Sequence, residues 1–110
     1  MFGLFGKKCM SLSMKEAQVE LEKDKNILLL DVRSVDEYQK GHIKGSKNVP
    51  LDRIPVSLVP IAPNKNARIF VYCLSGSRSG QACSWMTQNG YENVTNIGGI
   101  SSWSGPVERG

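Results

Sequence analysis

The sequence predicts a three-layer α/β domain, and three observations carry that expectation. Residues 26–32 (NILLLDV) and 68–73 (RIFVYC) are short, continuous apolar runs, as expected of strands covered on both faces. Segments with helical start and stop signals alternate with them, which implies right-handed crossovers and a mainly parallel sheet. A length of 110 residues suits one domain with one core and no need of disulfide staples.

Taken in order, residues 1–10 are expected to form a flexible tail and residues 11–110 the single domain. Ser13 and Glu16 have the spacing of a capping box, and Ala17 and Leu21 continue it into a helix over about residues 13 to 24. The first buried strand follows. Ser34 and Glu37 repeat the capping-box spacing and open a short helix that Gly41 ends. Residues 47–50 are a brief extended piece, and Leu51 begins an irregular helix interrupted by Pro55, Pro60 and Pro63. After the second buried strand, Ser79, Ala82, Cys83 and Met86 recur at helical spacing and mark one inward face, which Asn89-Gly90 closes. Residues 93–97 form a last short strand before Gly98-Gly99 and a terminal segment with Trp103 as packing.

Composition excludes several classes. The net charge of +4 is spread along the chain, and no basic cluster exceeds Lys7–Lys8, which argues against nucleic acid. A mildly positive field favours a small anionic substrate. No apolar run has membrane-spanning length, so no membrane partner is expected. Cys9, Cys73 and Cys83 show no C-x-x-C spacing, and His42 is the sole histidine, so neither a metal site nor a dithiol motif is expected, and no cofactor. The amino-terminal charges follow a very short apolar run, the reverse of a secretory signal. The expectation is a cytoplasmic monomer or weak dimer with free thiols, Cys83 serving as core filler.

Chemistry concentrates in residues 72–80, YCLSGSRSG. Cys73 ends an apolar strand and is followed by Leu74, Ser75, Gly76, Ser77 and Arg78. Reactive crevices of open α/β sheets lie at the carboxyl ends of strands. Loop amides converging on the sulfur, the N-terminus of the next helix and Arg78 all favour thiolate over thiol, starting from a free-cysteine pKa of about 8.5. Gly76 permits a positive φ or a close approach to a ligand.

Residues 31–50 (DVRSVDEYQKGHIKGSKNVP), 73–79 (CLSGSRS) and 98–103 (GGISSW) resemble the three signature stretches of rhodanese domains, in order and at suitable spacing over roughly residues 13 to 104. The resemblance implies a mostly parallel five-stranded sheet flanked by helices. It also implies sulfur transfer through a persulfide on Cys73, stabilised by loop residues 74 to 78, with Asp31 and Arg33 as supporting residues. The donor would be a small sulfur-containing anion and the acceptor a thiol or a protein; thiosulfate, for example, would release sulfite.

Related dual-specificity phosphatases and arsenate reductases carry C-x5-R, whereas Cys73 to Arg78 is C-x4-R, a shorter ring better suited to one sulfur than to a tetrahedral oxyanion. Tyr72 stands where those phosphatases have histidine. Two departures from the two-domain thiosulfate enzymes matter: they have arginine in place of Glu37 and cations in place of Leu74 and Ser75. Polysulfide or a protein persulfide therefore joins thiosulfate among the donors. Asn96-Ile97-Gly98-Gly99 is also one residue shorter than the family's usual N-L-x-G-G. Arg78 is expected to contact substrate, the alternative being a pair with Glu37 or Asp36. His42 is expected to be structural. The competing class is a sulfur carrier or sensor that uses the same loop without turnover.

Overall fold

The computed structural model describes residues 9–110. Of the expected tail, residues 1–8 lie outside this range, but Cys9 and Met10 are placed. Met10–Ser11 forms β1, with Met10 opposite Thr95 and Ser11 opposite Asn96. The chain continues through α1 (Met14–Lys23), β2 (Leu28–Asp31), α2 (Val35–Lys40), β3 (His42–Ile43) and β4 (Lys47–Asn48). A 3-10 turn at Leu51–Arg53 leads into α3 (Ile54–Ile61), then β5 (Ile69–Cys73), α4 (Ser77–Gln88) and β6 (Val94–Gly99). A second 3-10 turn, Ile100–Ser102, precedes β7 (Val107–Glu108).

The sheet has five strands in the order β1-β6-β5-β2-β4, all parallel. β3 and β7 make a separate antiparallel pair. Both expected capping boxes form: Ser13 and Ser34 accept from the N–H groups of Glu16 and Glu37, whose carboxylates accept from Ser13 N and Ser34 N. These two motifs fix the starts of α1 and α2, because each satisfies two orphan donors. Pro55 lies in the first turn of α3, where its missing N–H costs nothing, and Pro60 lies inside that helix.

Strand alternation sorts the core into two layers. Ile69, Val71 and Cys73 of β5 face α3 and α4, packing with Leu30, Ile54, Leu58, Ala82, Cys83 and Met86. Phe70 and Tyr72 face the other way, with Leu29, Ile43, Ile97 and residues Met14 and Ala17 of α1. All five β5 residues are at most 1% exposed. At roughly 1.5–3 kcal/mol for each large apolar side chain, this central strand anchors the fold. Trp103 packs on the α1 side as expected, and its indole N–H donates to Pro106 O at 3.1 Å.

The expectation of three free thiols is corrected. Cys9 and Cys83 form a disulfide, with Cα atoms 5.6 Å apart, and Cys73 is the free thiol. The pairing arises because β1 joins the edge of the sheet beside β6, which brings Cys9 onto the core layer containing Cys83. Cys83 is fully buried, so its packing role holds alongside the cross-link.

Candidate active site

Cys73 is the last residue of β5, and α4 starts four residues later at Ser77. Between them the chain reverses through Gly76, at φ +108°, a left-handed conformation that favours glycine. That turn directs the Gly76 N–H at Cys73 Sγ, with a distance of 3.0 Å. Ser79 Oγ lies 3.4 Å from the same sulfur. Burial pushes the Cys73 thiol up, but the Ser79 hydroxyl and the N–H groups of Ser79, Gly76 and Ser75 outweigh it, and the net direction is down. The sulfur therefore ionises more readily than a free thiol despite lying in a residue only 1% exposed. Leu74, Ser75 and Ser77 are exposed at the rim.

The loop rests on the end of β6, where Cys73 is opposite Gly99. A Cβ at Gly99 would overlap the Leu74 carbonyl oxygen and come within 2.6 Å of Ser75 Cα. Ser101 Oγ donates to Leu74 O at 3.2 Å. Asn96 adds a side-chain clamp: its Nδ2 donates to Gly76 O at 3.2 Å, and its Oδ1 accepts from Gly98 N at 2.9 Å. The Ser79 hydroxyl has one proton and three acceptors within reach: Asn96 Oδ1 at 2.7 Å, Gly76 O at 3.1 Å and the sulfur. It can turn to the sulfur when the thiolate forms. Ser79, Asn96 and Gly99 as site residues escaped the sequence reading. Ser79 was legible as a helix-face position and as the end of the 73–79 signature stretch but was given no role, and Asn96 and Gly99 arrive from the neighbouring strand.

Arg78 is placed differently from the expected substrate contact. Its Nη1 and Nη2 donate to Glu37 Oε1 at 2.7 Å and Oε2 at 3.0 Å. The reason is local: the capping box of α2 already holds the Glu37 carboxylate at the mouth of the crevice. Asp31 and Arg33 form a buried pair at the end of β2, with Arg33 Nη2 2.6 Å from Asp31 Oδ2 and 2.7 Å from Gly41 O. Asn48 Nδ2 donates to the carbonyls of both residues. This network ties β2 to β4 and to the segment entering β3, and it makes no hydrogen bond to the Cys73 loop. Tyr72 turns to the opposite layer, where its hydroxyl accepts from Ile43 N at 3.0 Å and lies 2.9 Å from Ser46 Oγ. His42 stacks on Tyr38 and its Nδ1 is 2.9 Å from Tyr38 O. Among the described residues, no three His, Cys, Asp or Glu side chains group as metal ligands.

A parallel sheet flanked by helices, with a free cysteine ending its central strand, defines the class as a three-layer α/β domain with its crevice at the carboxyl ends of the strands. The chain belongs to the rhodanese-like domain family, whose profile matches residues 13–106. It is 36% identical over 81 residues to thiosulfate sulfurtransferase PspE of Escherichia coli (strain K12), covering 74% of this chain and 78% of that protein. A sulfurtransferase of Allochromatium vinosum is 36% identical over 95 residues, 86% of this chain and 82% of its own length. The solved structure of a rhodanese with anions from E. coli superposes with a TM-score of 0.73 at 34% identity, over 76% of this chain and 99% of that one. Sulfur transfer is the activity class these relatives share with the chain.

Proposed function

We propose that the chain moves sulfane sulfur through a persulfide on Cys73. The observation that carries this reading is the free Cys73 sulfur accepting the Gly76 N–H at 3.0 Å, in surroundings that lower its pKa. The Cys73 thiolate attacks the outer sulfur of a donor such as thiosulfate, a polysulfide or a persulfide. The donor's S–S bond breaks, and its electron pair leaves with sulfite or a thiolate. An acceptor thiolate then attacks the outer sulfur of the persulfide, takes it, and returns Cys73 as thiolate. This is covalent, ping-pong chemistry on an activated nucleophile. Ser75 and Gly76 of the loop, together with Ser79, are assigned to hold the anion; Leu74 and Ser77 shape the rim.

No helix among the described residues is long and apolar enough to cross a membrane. Because disulfides persist mainly where thiols are not kept reduced, the Cys9–Cys83 cross-link favours an oxidising compartment over the cytoplasm expected from the sequence. Mass spectrometry after exposure to thiosulfate or polysulfide tests the reading. One added sulfur, about 32 Da, on Cys73 and its loss on adding a thiol acceptor are expected of a covalent intermediate. Sulfur that loads but leaves only at stoichiometric level would identify a carrier instead, and no loading would refute the persulfide.

A further inference from the structure

The charge at the mouth of the crevice is already balanced. Arg78 and Glu37 meet as a two-pronged fork joining α4 to α2 across the rim. Glu37 Oε1 also accepts the Ser34 N–H at 3.0 Å, so the carboxylate is fixed before it meets the guanidinium. The Arg78 hydrogen bonds, against the opposing effect of burial, hold the Glu37 carboxyl at a pKa of about 2, and the fork stays ionised across any workable assay pH. The groove beside Arg78, walled by Val32, Val35 and Leu51, adds one cation, Arg53, and one anion, Asp52. Arg33 is turned inward on Asp31. The exposed residues of the Cys73 loop are Leu74, at 49%, with Ser75 and Ser77.

We propose that Glu37 is a specificity-determining residue which, by saturating Arg78, selects an organic persulfide over the thiosulfate dianion as the sulfur donor. The inference rests on the sulfur-transfer reading above and names its substrate class. Thiosulfate presents two negative charges and is favoured by an unpaired cation at the rim. An organic persulfide is attacked as neutral R–S–SH: the Cys73 thiolate bonds to the terminal sulfur, the donor S–S bond breaks, and R–S⁻ departs. The proton of the transferred –SH passes through solvent to that thiolate, leaving the Cys73 persulfide anion and R–SH, so atoms and charge balance. Leu74 at the rim suits the carbon-bearing group of such a donor.

The test measures kcat/KM for thiosulfate and for the persulfide of 2-mercaptoethanol with the full chain. Glu37→Gln removes the charge but keeps a residue that completes the capping box, so α2 is retained. One freed cation acting on a dianion through partly screened solvent should raise thiosulfate turnover about tenfold. The persulfide, attacked in its neutral R–S–SH form, should change less than about twofold, because that form brings no net charge into the field. Arg78→Ala should lower the thiosulfate value, since Glu37 is then unbalanced, and adding Glu37→Gln to it should recover part of the loss. Opposite signs for the two single substitutions would not arise from a fork that merely holds α2 to α4. Glu37→Gln lowering both donors together, or leaving the donor ratio unchanged, overturns the inference while sulfur transfer stands. Failure of both donors to load Cys73 in the wild type overturns both.

Discussion

Gly99 offers the sharpest perturbation of the cradle because it touches no reacting atom. Its Cα lies beneath the peptide joining Leu74 to Ser75, and an added Cβ would sit 2.6 Å from Ser75 Cα, well inside the 3.0 Å below which such contacts essentially never occur. The neighbours are backbone, so they cannot swing away as a side-chain tip would. In Gly99→Ala the Leu74 carbonyl oxygen, which the new Cβ overlaps, must retreat to beyond 3.0 Å, and this shift of the loop pulls the N–H groups of Ser75 and Gly76 off the sulfur while Ser79, on α4, remains. A hydrogen bond to a charged acceptor is worth about 1.5–3 kcal/mol. Loss of one, at about 1.4 kcal/mol per decade, lowers sulfur transfer and thiolate alkylation at neutral pH by roughly 10- to 100-fold. The assay pairs iodoacetamide alkylation of Cys73 across pH with sulfur transfer, and circular dichroism checks the sheet. The alkylation profile should move to higher pH. A variant that folds and keeps both profile and turnover within about threefold of wild type would refute a cradle made of loop amides.

The remaining expectations concern the rest of the cradle and the cross-link. Ser79→Ala removes the hydroxyl 3.4 Å from the sulfur and should slow neutral-pH alkylation of Cys73 about tenfold, whereas an unchanged rate would show that the hydroxyl stays on Asn96. The Cys9–Cys83 disulfide joins residues 74 apart, so by the chain-entropy model reduction, or Cys9→Ser, should lower unfolding free energy in urea by about 4 kcal/mol. Equal stabilities of the oxidised and reduced forms, or Cys9 and Cys83 alkylating without a reductant, would remove the cross-link from the account.

What could be read in advance depended on whether the physical cause was local. β2 and β5 were legible because a strand buried on both faces must be apolar throughout, as residues 28–30 and 69–71 are. The starts of α1 and α2 were legible because a capping box needs only residues three apart. β1, β3 and β7 were missed, since two residues apiece carry no period and their pairing comes from distant partners. The disulfide was missed for the same reason: nothing in the spacing of Cys9 and Cys83 says that β1 folds back beside β6. At the site, Cys73 and Gly76 were visible in one continuous stretch. Asn96 and Gly99 were not visible as loop supports, because their part depends on sheet order. Glu37 was visible as a capping residue, as a departure from the two-domain enzymes and as one possible partner for Arg78. The choice between Glu37 and a substrate followed from the carboxylate already being fixed by Ser34.

Cys73 shows how a buried sulfur stays usable. Burial disfavours the charged form, and here it is the largest single influence on the thiol. What reverses the direction is a set of neutral donors (the Ser79 hydroxyl and the N–H groups of Ser79, Gly76 and Ser75), not the guanidinium of Arg78, which faces Glu37. A folded pKa below that of the unfolded chain means that the ionised thiolate stabilises the fold fully above the unfolded value of about 8.5. That contribution fades as pH falls through the lowered folded value. Between the two values the folded protein holds a thiolate that the unfolded chain would protonate, and nucleophilic reactivity and this stabilisation decline over the same pH range. Both rest on backbone directions set by Gly76 and Gly99, so the charge of the nucleophile can be tuned separately from the charge of the rim. The Arg78–Glu37 fork acts on the donor, and its charge reaches the sulfur only as a weaker coulombic contribution beside the loop donors.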